Sequence, residues 1–158
     1  MKLLWKQLSG QNGHEAGLEL LEELYGAPLP PIEKAKRGKP YFADSSAHFS
    51  VSHTKNHVFC VLSDRPIGID AEEADREINL NLAKKILSPN EQLQFESATD
   101  KRRALLTFWV LKEAYVKCTG EGLTPYPKCT DFSLSDPRVS EIDGCLVAVI
   151  EQENPYVI

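Results

Sequence analysis

The sequence predicts an α+β fold built as a single domain, and the order of its elements leads to that prediction. Strand-like runs lie at both ends of the chain and in its middle, and three successive helical segments separate the middle strands from the last ones. The resulting order β-α-β-β-β-α-α-α-β-β lacks the regular alternation of strand and helix that a parallel sheet needs. A chain of 158 residues, 42% of them hydrophobic, is long enough to bury one core.

The N-terminal part begins with a predicted strand and a helix. Residues 2–8 (KLLWKQL) form the strand, and residues 13–26 carry leucines at helical spacing and end at a glycine. The next stretch, IEKAKRGKPYFADSS, is interpreted as a polar, basic connection because Lys and Arg cluster in it. Three strands are expected over residues 48–73 as a meander, with the first two split by a Lys-Asn turn.

The remainder is helical and then returns to strands. Residues 79–87 form one predicted segment, and residues 88–97 begin another with S-P-N-E, which has the pattern of a capping box. The longest periodic segment, residues 100–120, is expected to end at Gly120 or Gly122. Two strands, TDFSLSD and CLVAVIEQ, complete the prediction, with a turn at SEIDG.

Composition excludes several classes of function. The net charge of −5 leaves no overall basic surface for nucleic acid, so an anionic ligand would need a local cluster of cations. The N-terminus lacks the apolar run of a signal peptide, and no stretch approaches the ~20 apolar residues that span a bilayer. The four cysteines form no CxxC pair, which favours free thiols in a reducing compartment. We therefore expect a cytoplasmic protein that binds neither nucleic acid nor membrane.

Two carboxylates follow a buried-looking strand in the segment PIGIDAEEAD. Asp70 and Glu72 are two positions apart, so in a continuing strand they project from the same face. Two like charges so near each other raise the free energy of the folded state unless a cation or hydrogen bonds compensate them. The pattern therefore predicts a compensating partner, either a cation or a set of hydrogen bonds.

A third carboxylate lies on the longest predicted helix. Trp109, Glu113 and Lys117 are spaced i, i+4 and i+8, and the tryptophan makes their shared face partly buried. On spacing alone, Glu113 and Lys117 are more typical of a simple helix-stabilising pair. Combined with Asp70 and Glu72, Glu113 completes an oxygen ligand set that suits Mg2+ shared with substrate phosphates.

Cationic side chains are available to meet such phosphates. Lys112 and Lys117 flank the helix carboxylate. His53 lies near a predicted strand end, and Lys39 stands in RGKPYF. The sequence thus favours a magnesium ion with a phosphate group on its other side.

Four side chains are assigned no ligand at this point. His14, His48 and His57 have no partner at metal-ligand spacing and are interpreted as ordinary strand, loop or surface residues. Trp109 is interpreted as packing that orients its helix.

Four motifs, taken in order, resemble those of the 4'-phosphopantetheinyl transferases. They are GKP at 38–40, SVSH at 50–53, GIDAE at 68–72 and FWVLKEAYVK at 108–117. The last two are specific when they occur together, whereas GKP and SH alone are weak signals. The chain is more similar to the surfactin-synthetase-activator branch than to the short holo-acyl-carrier-protein synthase branch. Its segment before GKP is shorter than is usual in the first branch.

The resemblance implies a fold and a reaction. The fold would be a pseudo-dimer of two unequal α/β halves, about residues 1–65 and 66–158, with antiparallel sheets packed by helices. With Mg2+ bound, or Mn2+ as an alternative, a serine of an apo acyl or peptidyl carrier protein would attack the β-phosphate of coenzyme A. The phosphopantetheine arm would move to that serine and 3',5'-ADP would leave, a reaction that depends on positioning and charge neutralisation.

Residue roles follow from the same resemblance. Asp70, Glu72 and Glu113 would hold the metal, and Glu113 would also act as general base on the serine. Lys117 would contact the α- or β-phosphate, and it joins Asp70 and Glu113 as the expected catalytic set. The residues expected to bind coenzyme A are Arg37, Gly38, Lys39, Pro40, Ser52, His53, Lys112 and Lys117.

Several alternatives stay open. A coenzyme A- or carrier-binding module of the same fold would have lost turnover through its shortened N-terminal half, and a structural protein would leave the three carboxylates solvated or salt-bridged. The 3'-phosphate could be held by Lys34, Lys36 and Arg37, or by Lys2 and Lys6. A monomer built of two unequal halves is favoured over a dimer that completes the site.

Overall fold

Two three-stranded antiparallel sheets and the helices packed on them form most of the structure. The computed structural model describes residues 1–121 and 130–153. The strands are β1 (Lys2–Gln7), β2 (Ile32–Lys34), β3 (Pro40–Phe42), β4 (His48–His53), β5 (His57–Ser63), β6 (Ile67–Glu73), β7 (Val139–Ile142) and β8 (Cys145–Glu151). The helices are α1 (Gly13–Tyr25), α2 (Ala83–Ile86), α3 (Pro89–Ser97) and α4 (Lys101–Thr119), with a 3-10 turn at Leu80–Leu82 before α2. The predicted α+β class with antiparallel sheets is confirmed.

The first sheet has the order β1-β5-β4 and is covered by α1. Asn12 caps the start of α1 through its side-chain oxygen, which accepts from the amide of His14 at 2.8 Å. The buried face of α1, represented by Leu20 and Leu21, packs against Phe49 and other apolar residues of the sheet. The periodicity that predicts this helix therefore reflects real burial.

The second sheet has the order β6-β8-β7 and is covered by α4. Asp100 caps the start of this 19-residue helix, and Gly120 ends it in the left-handed conformation at φ 73°. Ser88 and Glu91 form the predicted capping box at the start of α3. These boundaries were predictable because each cap is a local interaction. The alternative helix end at Gly122 lies outside the described residues. Cys129, which was predicted to be a free thiol, lies outside them as well.

Three expectations were wrong. The basic connection contains a hairpin, β2-β3, in which Glu33 pairs with Tyr41 and Gly38 turns the chain at φ 92°. The strand β6 pairs with β8 in the second sheet rather than extending a meander from β5. TDFSLSD is not a strand, because side chains of Ser133 and Asp136 bond the main chain locally and fold it into turns.

The strand predicted there lies further along the chain. Val139–Ile142 forms β7, and a two-residue turn of Asp143 and Gly144 joins it to β8. Both turn residues have positive φ, at 47° and 78°. Asp-Gly is a strong hairpin signal because these residues tolerate that conformation, so the sequence contained the information.

The two sheets meet where β4 lies beside β6. The side chains of Ser50 and Ser52 each accept a hydrogen bond from a β6 amide, those of Ile69 and Ala71, at 3.1 Å. On the other side of β6, Gly68 lies so close to α4 that an added Cβ would be 2.0 Å from the carbonyl oxygen of Ala114. This close approach fixes β6 against α4 and so brings the carboxylates of both elements to one region.

None of the described helices combines the length and apolar character that crossing a membrane would take.

Candidate active site

Most of the predicted site residues meet at one pocket of about 390 Å³. Its walls come from the β2–β3 turn, from β4 and from the last turns of α4. The predicted residues that line it are Arg37, Gly38, Lys39, Pro40, His53, Glu113 and Lys117. Phe49, Val51 and Val116 add apolar surface. The pocket therefore combines an apolar wall with several cations and one carboxylate.

A larger cavity of about 890 Å³ adjoins this pocket and shares Lys39 and Gly120 with it. Its walls include Glu121, Thr130 and Glu153, which border the segments outside the described residues. None of the predicted metal-binding carboxylates is among its described lining residues. The predicted chemistry therefore belongs to the smaller pocket.

Asp70 lies behind the pocket wall and is almost completely buried. Lys117 reaches it from the pocket, with its Nζ donating to Oδ1 at 2.8 Å, and the Ser52 hydroxyl donates to the same oxygen at 3.3 Å. The other oxygen, Oδ2, is buried and has no hydrogen-bond partner among the described residues. Burial raises the pKa of Asp70, and the opposing effects of Lys117 and Ser52 do not cancel that rise.

Glu72 is half-buried at the end of β6. The guanidinium of Arg76 forms an ion pair with its Oε1 at 2.5 Å, and the indole of Trp109 also hydrogen-bonds to it. Burial raises the pKa of Glu72, and the charge of Asp70 raises it further. The two β6 carboxylates therefore repel each other, as their spacing in the sequence predicts.

The residues present fit a divalent cation. Asp70 offers a buried oxygen with no partner, and two neighbouring carboxyls with raised pKa values are what a cation would relieve. Among the described residues, the ligand atoms of His57, Glu73 and Cys145 lie within 4.8 Å of one another, whereas those of Asp70, Glu72 and Glu113 are further apart. Magnesium tolerates the looser set, since it usually takes one or two carboxylates together with water and phosphate oxygens.

Lys112 does not belong to the pocket, contrary to the prediction. Its side chain is completely buried, and its Nζ donates to Glu91 at 2.8 Å in the core beneath α4. The ammonium also lies 5.7 Å from the ring centre of Phe132. A cation held in this way is not available to a phosphate in the pocket.

Ser52 also points away from the pocket. Ser52 is absent from the lining of the pocket, to which Ser50, Val51 and His53 of the same strand contribute. The Ser52 hydroxyl instead bonds Asp70 and the amide of Ala71. The predicted contact with coenzyme A is thus replaced by a contact that positions Asp70.

Lys39 and Arg37 line the pocket but also bond the main chain around the end of α4. Lys39 donates to the carbonyl of Cys118 at 2.9 Å and to that of Ile67 at 3.4 Å. Burial lowers the pKa of Lys39. Arg37 donates to the carbonyl of Glu121. Both cations therefore join the β2–β3 turn to α4 and shape the pocket wall.

Three contributors were missed at the level of sequence. His14, interpreted as ordinary, lines the pocket from the first turn of α1. Arg76 and Trp109 hold Glu72, although only packing was predicted for the tryptophan. The contact of Arg76 with Glu72 depends on the turn that follows β6, and the position of His14 depends on how α1 packs against β4.

The sequence of the chain matches a known family. A family model described as the 4'-phosphopantetheinyl transferase superfamily matches residues 66–152, which is more than half of the chain. The chain therefore belongs to the 4'-phosphopantetheinyl transferase superfamily, and the family predicted from the motifs is confirmed.

Individual relatives carry the same description. The chain is 35% identical to the 4'-phosphopantetheinyl transferase gsp of Aneurinibacillus migulanus, over 58% of this chain and 39% of that protein. It is 31% identical to psf-1 of Bacillus pumilus, over 88% of this chain and 59% of that protein. It is 38% identical to HetI of a Nostoc species, over 68% of this chain and 52% of that protein. The chain thus spans about half the length of these relatives.

Proposed function

We propose that the protein transfers the 4'-phosphopantetheine arm of coenzyme A to a serine of an apo acyl or peptidyl carrier protein, with Mg2+ as cofactor. The observation that carries this proposal is Asp70. One of its oxygens is held by Lys117 from the pocket, while the other is buried without a partner. An uncompensated buried carboxylate oxygen is costly, and a cation bound there would remove the cost.

The metal would be held by Asp70, Glu72 and Glu113, directly or through water. It would supply positive charge to the pyrophosphate, which favours the departure of 3',5'-ADP. Glu113 lines the pocket, where it can accept the proton of an entering serine hydroxyl. Lys117 can donate to a phosphate oxygen and steady the charge that develops during transfer.

Coenzyme A would lie along the wall that carries Arg37, Lys39 and His53. Arg37 and Lys39 provide local positive charge in a protein whose net charge is −5, and His53 adds a polar side chain beside them. The apolar side chains of Phe49 and Val51 offer a surface for the adenine or the pantetheine arm. We propose that the two sheets correspond to the two unequal halves of a pseudo-dimer, with the pocket beside the place where β4 meets β6. The free thiols of Cys60, Cys118 and Cys145 agree with a reducing compartment such as the cytoplasm.

The test is intact-mass spectrometry of apo carrier proteins incubated with this protein, coenzyme A and Mg2+. The expected result is a mass gain of one phosphopantetheine arm, which disappears with EDTA and in the Asp70→Ala variant. No gain with fatty-acid, polyketide and nonribosomal-peptide carriers would contradict the proposal.

A second candidate is a coenzyme A- or carrier-binding module without turnover. Calorimetric titration with coenzyme A and with dephospho-coenzyme A separates the candidates. Mg2+-dependent binding of coenzyme A without any mass gain on a carrier would support the binding module.

A further inference from the structure

We propose that His57, Glu73 and Cys145 form a second cation site, one that binds a thiophilic divalent ion such as Zn2+ and joins the two sheets. The three residues come from different strands: His57 begins β5 in the first sheet, Glu73 ends β6, and Cys145 begins β8 in the second. The site does not depend on the proposed transferase function, and it uses none of the residues assigned to Mg2+.

The spacing of the ligand atoms, with either oxygen of Glu73, fits a tetrahedral ion. His57 Nδ1 lies 3.2 Å from Glu73 Oε1 and 3.3 Å from Cys145 Sγ, and Sγ lies 3.6 Å from Glu73 Oε2. Zinc–ligand bonds of about 2.0 Å to nitrogen or oxygen and about 2.3 Å to sulfur place tetrahedral ligands roughly 3.3–3.6 Å apart. An ion can therefore enter with little movement of the side chains.

The surroundings of His57 match those of a metal-binding histidine. Its second ring nitrogen, Nε2, lies 2.8 Å from Oδ2 of Asp143 in the β7–β8 turn. Gln7 donates to the same aspartate oxygen at 2.8 Å, which fixes the carboxylate in place. A histidine that ligates a metal usually donates its other N–H to a carboxylate, which selects the tautomer with Nδ1 free for the ion.

The donor set selects the class of ion. A thiol sulfur, an imidazole nitrogen and a carboxylate oxygen together suit Zn2+, whereas Mg2+ prefers oxygen ligands alone. His57 and Cys145 are buried, while the Glu73 side chain is 21% exposed and lines a surface cleft of about 690 Å³. The cleft gives an entry path, and water can supply the fourth ligand.

Protons compete with the ion for the same atoms. As the metal binds, the Cys145 thiol and the Nδ1–H that faces Glu73 each release a proton to solvent, the sulfur–metal bond forms, and Nδ1 of His57 binds through the lone pair that its proton leaves. The Glu73 carboxylate, which accepts a hydrogen bond from the imidazole before the ion enters, then binds the ion through an oxygen. The site would hold the start of β5 to the end of β6, one residue beyond Glu72, so its role is structural.

Cobalt provides the probe, because Co2+ bound by a thiolate gives a near-ultraviolet charge-transfer band that a carboxylate site cannot give. The whole chain is titrated with Co2+ in excess Mg2+, so that oxygen-only sites are occupied. We expect the band to saturate at one Co2+ per chain, to disappear when Zn2+ is added, and to be lost in Cys145→Ser. Cys60→Ser is the matched control, since Cys60 is also completely buried but lies among the apolar residues under α1.

Two outcomes would overturn the proposal. The first is a wild-type protein without the band, which would leave the cluster as a hydrogen-bonded imidazole between two carboxylates. The second is a band that persists in Cys145→Ser, which would assign the thiolate to another cysteine. If Cys145→Ser does not fold, His57→Asn replaces it, with an unfolding midpoint that Zn2+ raises in the wild type but not in this variant.

Discussion

Asp70 and Glu91 are both carboxylates that pair with a lysine of α4, but the two pairs have different roles. In the described part of the chain they are the two residues with a buried side-chain oxygen that lacks a hydrogen-bond partner. Each pairs at 2.8 Å with a lysine of α4, Asp70 with Lys117 and Glu91 with Lys112. The Glu91–Lys112 pair is completely buried, whereas the side chains of Asp70 and Lys117 are 9% and 32% exposed.

The difference lies in what surrounds each pair. Glu91 belongs to the capping box of α3, and Lys112 lies against Phe132, so both ends of that pair are fixed by the core. Lys117 opens onto the pocket, and Ser52 and Lys117 hold only one side of Asp70. We infer that the buried pair specifies the packing of α3 on α4, and that the exposed pair holds a carboxylate ready for a ligand.

The largest expected effect is the loss of transfer in Asp70→Asn. The amide keeps the shape of the side chain but removes the charge that would bind Mg2+, which is worth several kcal/mol, or roughly a thousandfold in rate. Carrier modification followed by intact mass measures this loss. Unaltered circular dichroism serves as the control, and wild-type turnover would exclude Asp70 from the site.

The next effect is on folding and concerns the buried pair. Glu91→Leu or Lys112→Met alone would leave an uncompensated buried charge and cost about 3–5 kcal/mol in the free energy of unfolding. The double variant would recover most of that loss, because two apolar side chains satisfy each other. Urea denaturation of the three variants gives the comparison. Additive losses in the double variant would show that the two residues do not act as a pair.

Lys117→Ala is expected to reduce turnover about a hundredfold through the loss of transition-state charge stabilisation. It should also cost about 1–3 kcal/mol in the free energy of unfolding, since it leaves the nearly buried Asp70 carboxylate without its cation. Steady-state kinetics and urea denaturation on the same preparation test both parts. An unchanged rate would return Lys117 to the role of a simple partner for the helix carboxylate.

The sequence predicted the local features of this comparison and missed the distant ones. The α4 cap at Gly120 and the Ser88 box depend on a few adjacent residues, and both were predictable. Glu113 and Lys117 share a helix face at i,i+4, whereas Lys112 is one position before Glu113 and turned from it by roughly 100°, so the two lysines point in different directions. Which one faces the core depends on Glu91, and this contact is 21 residues away in sequence.

The pairing of β6 with the second sheet instead of the first could not be predicted, for the same reason. Nothing within PIGIDAEE distinguishes a third strand of a meander from the first strand of a new sheet. The choice depends on Gly68 packing against the Ala114 carbonyl and on two serine side chains that replace main-chain pairing with β4. The motif itself was visible, but the surface it faces was not.

The pH dependence of stability should differ in sign between Asp70 and another paired carboxylate, Asp136. Burial raises the pKa of Asp70 above its ordinary 3.8, so its contribution to stability is present below that value and is lost as pH rises through the folded pKa. Asp70→Asn should therefore gain stability relative to the wild type as pH rises from 4 to 7 in EDTA.

Asp136 provides the opposite case. A hydrogen bond from Arg138 lowers its pKa, so its stabilising contribution is present above 3.8 and is lost as pH falls through the folded pKa. Asp136→Asn should lose stability relative to the wild type at neutral pH, and the loss should shrink on acidification. Urea denaturation from pH 7 to well below 3.8 measures both variants, and the same sign for the two would contradict the assigned causes.

The smallest expected effect tests whether Ser52 positions Asp70 or only joins the two sheets. Ser50 and Ser52 each accept a β6 amide at 3.1 Å, but only Ser52 also donates to Asp70. Removing either hydroxyl leaves a buried amide without its acceptor, so Ser50→Ala and Ser52→Ala should each cost about 1–3 kcal/mol of stability. Only Ser52→Ala should also weaken Mg2+ affinity and turnover, by roughly tenfold, because it frees the carboxylate to rotate. If both variants reduced turnover equally, the activity would depend on the packing of β4 against β6 and not on the orientation of Asp70.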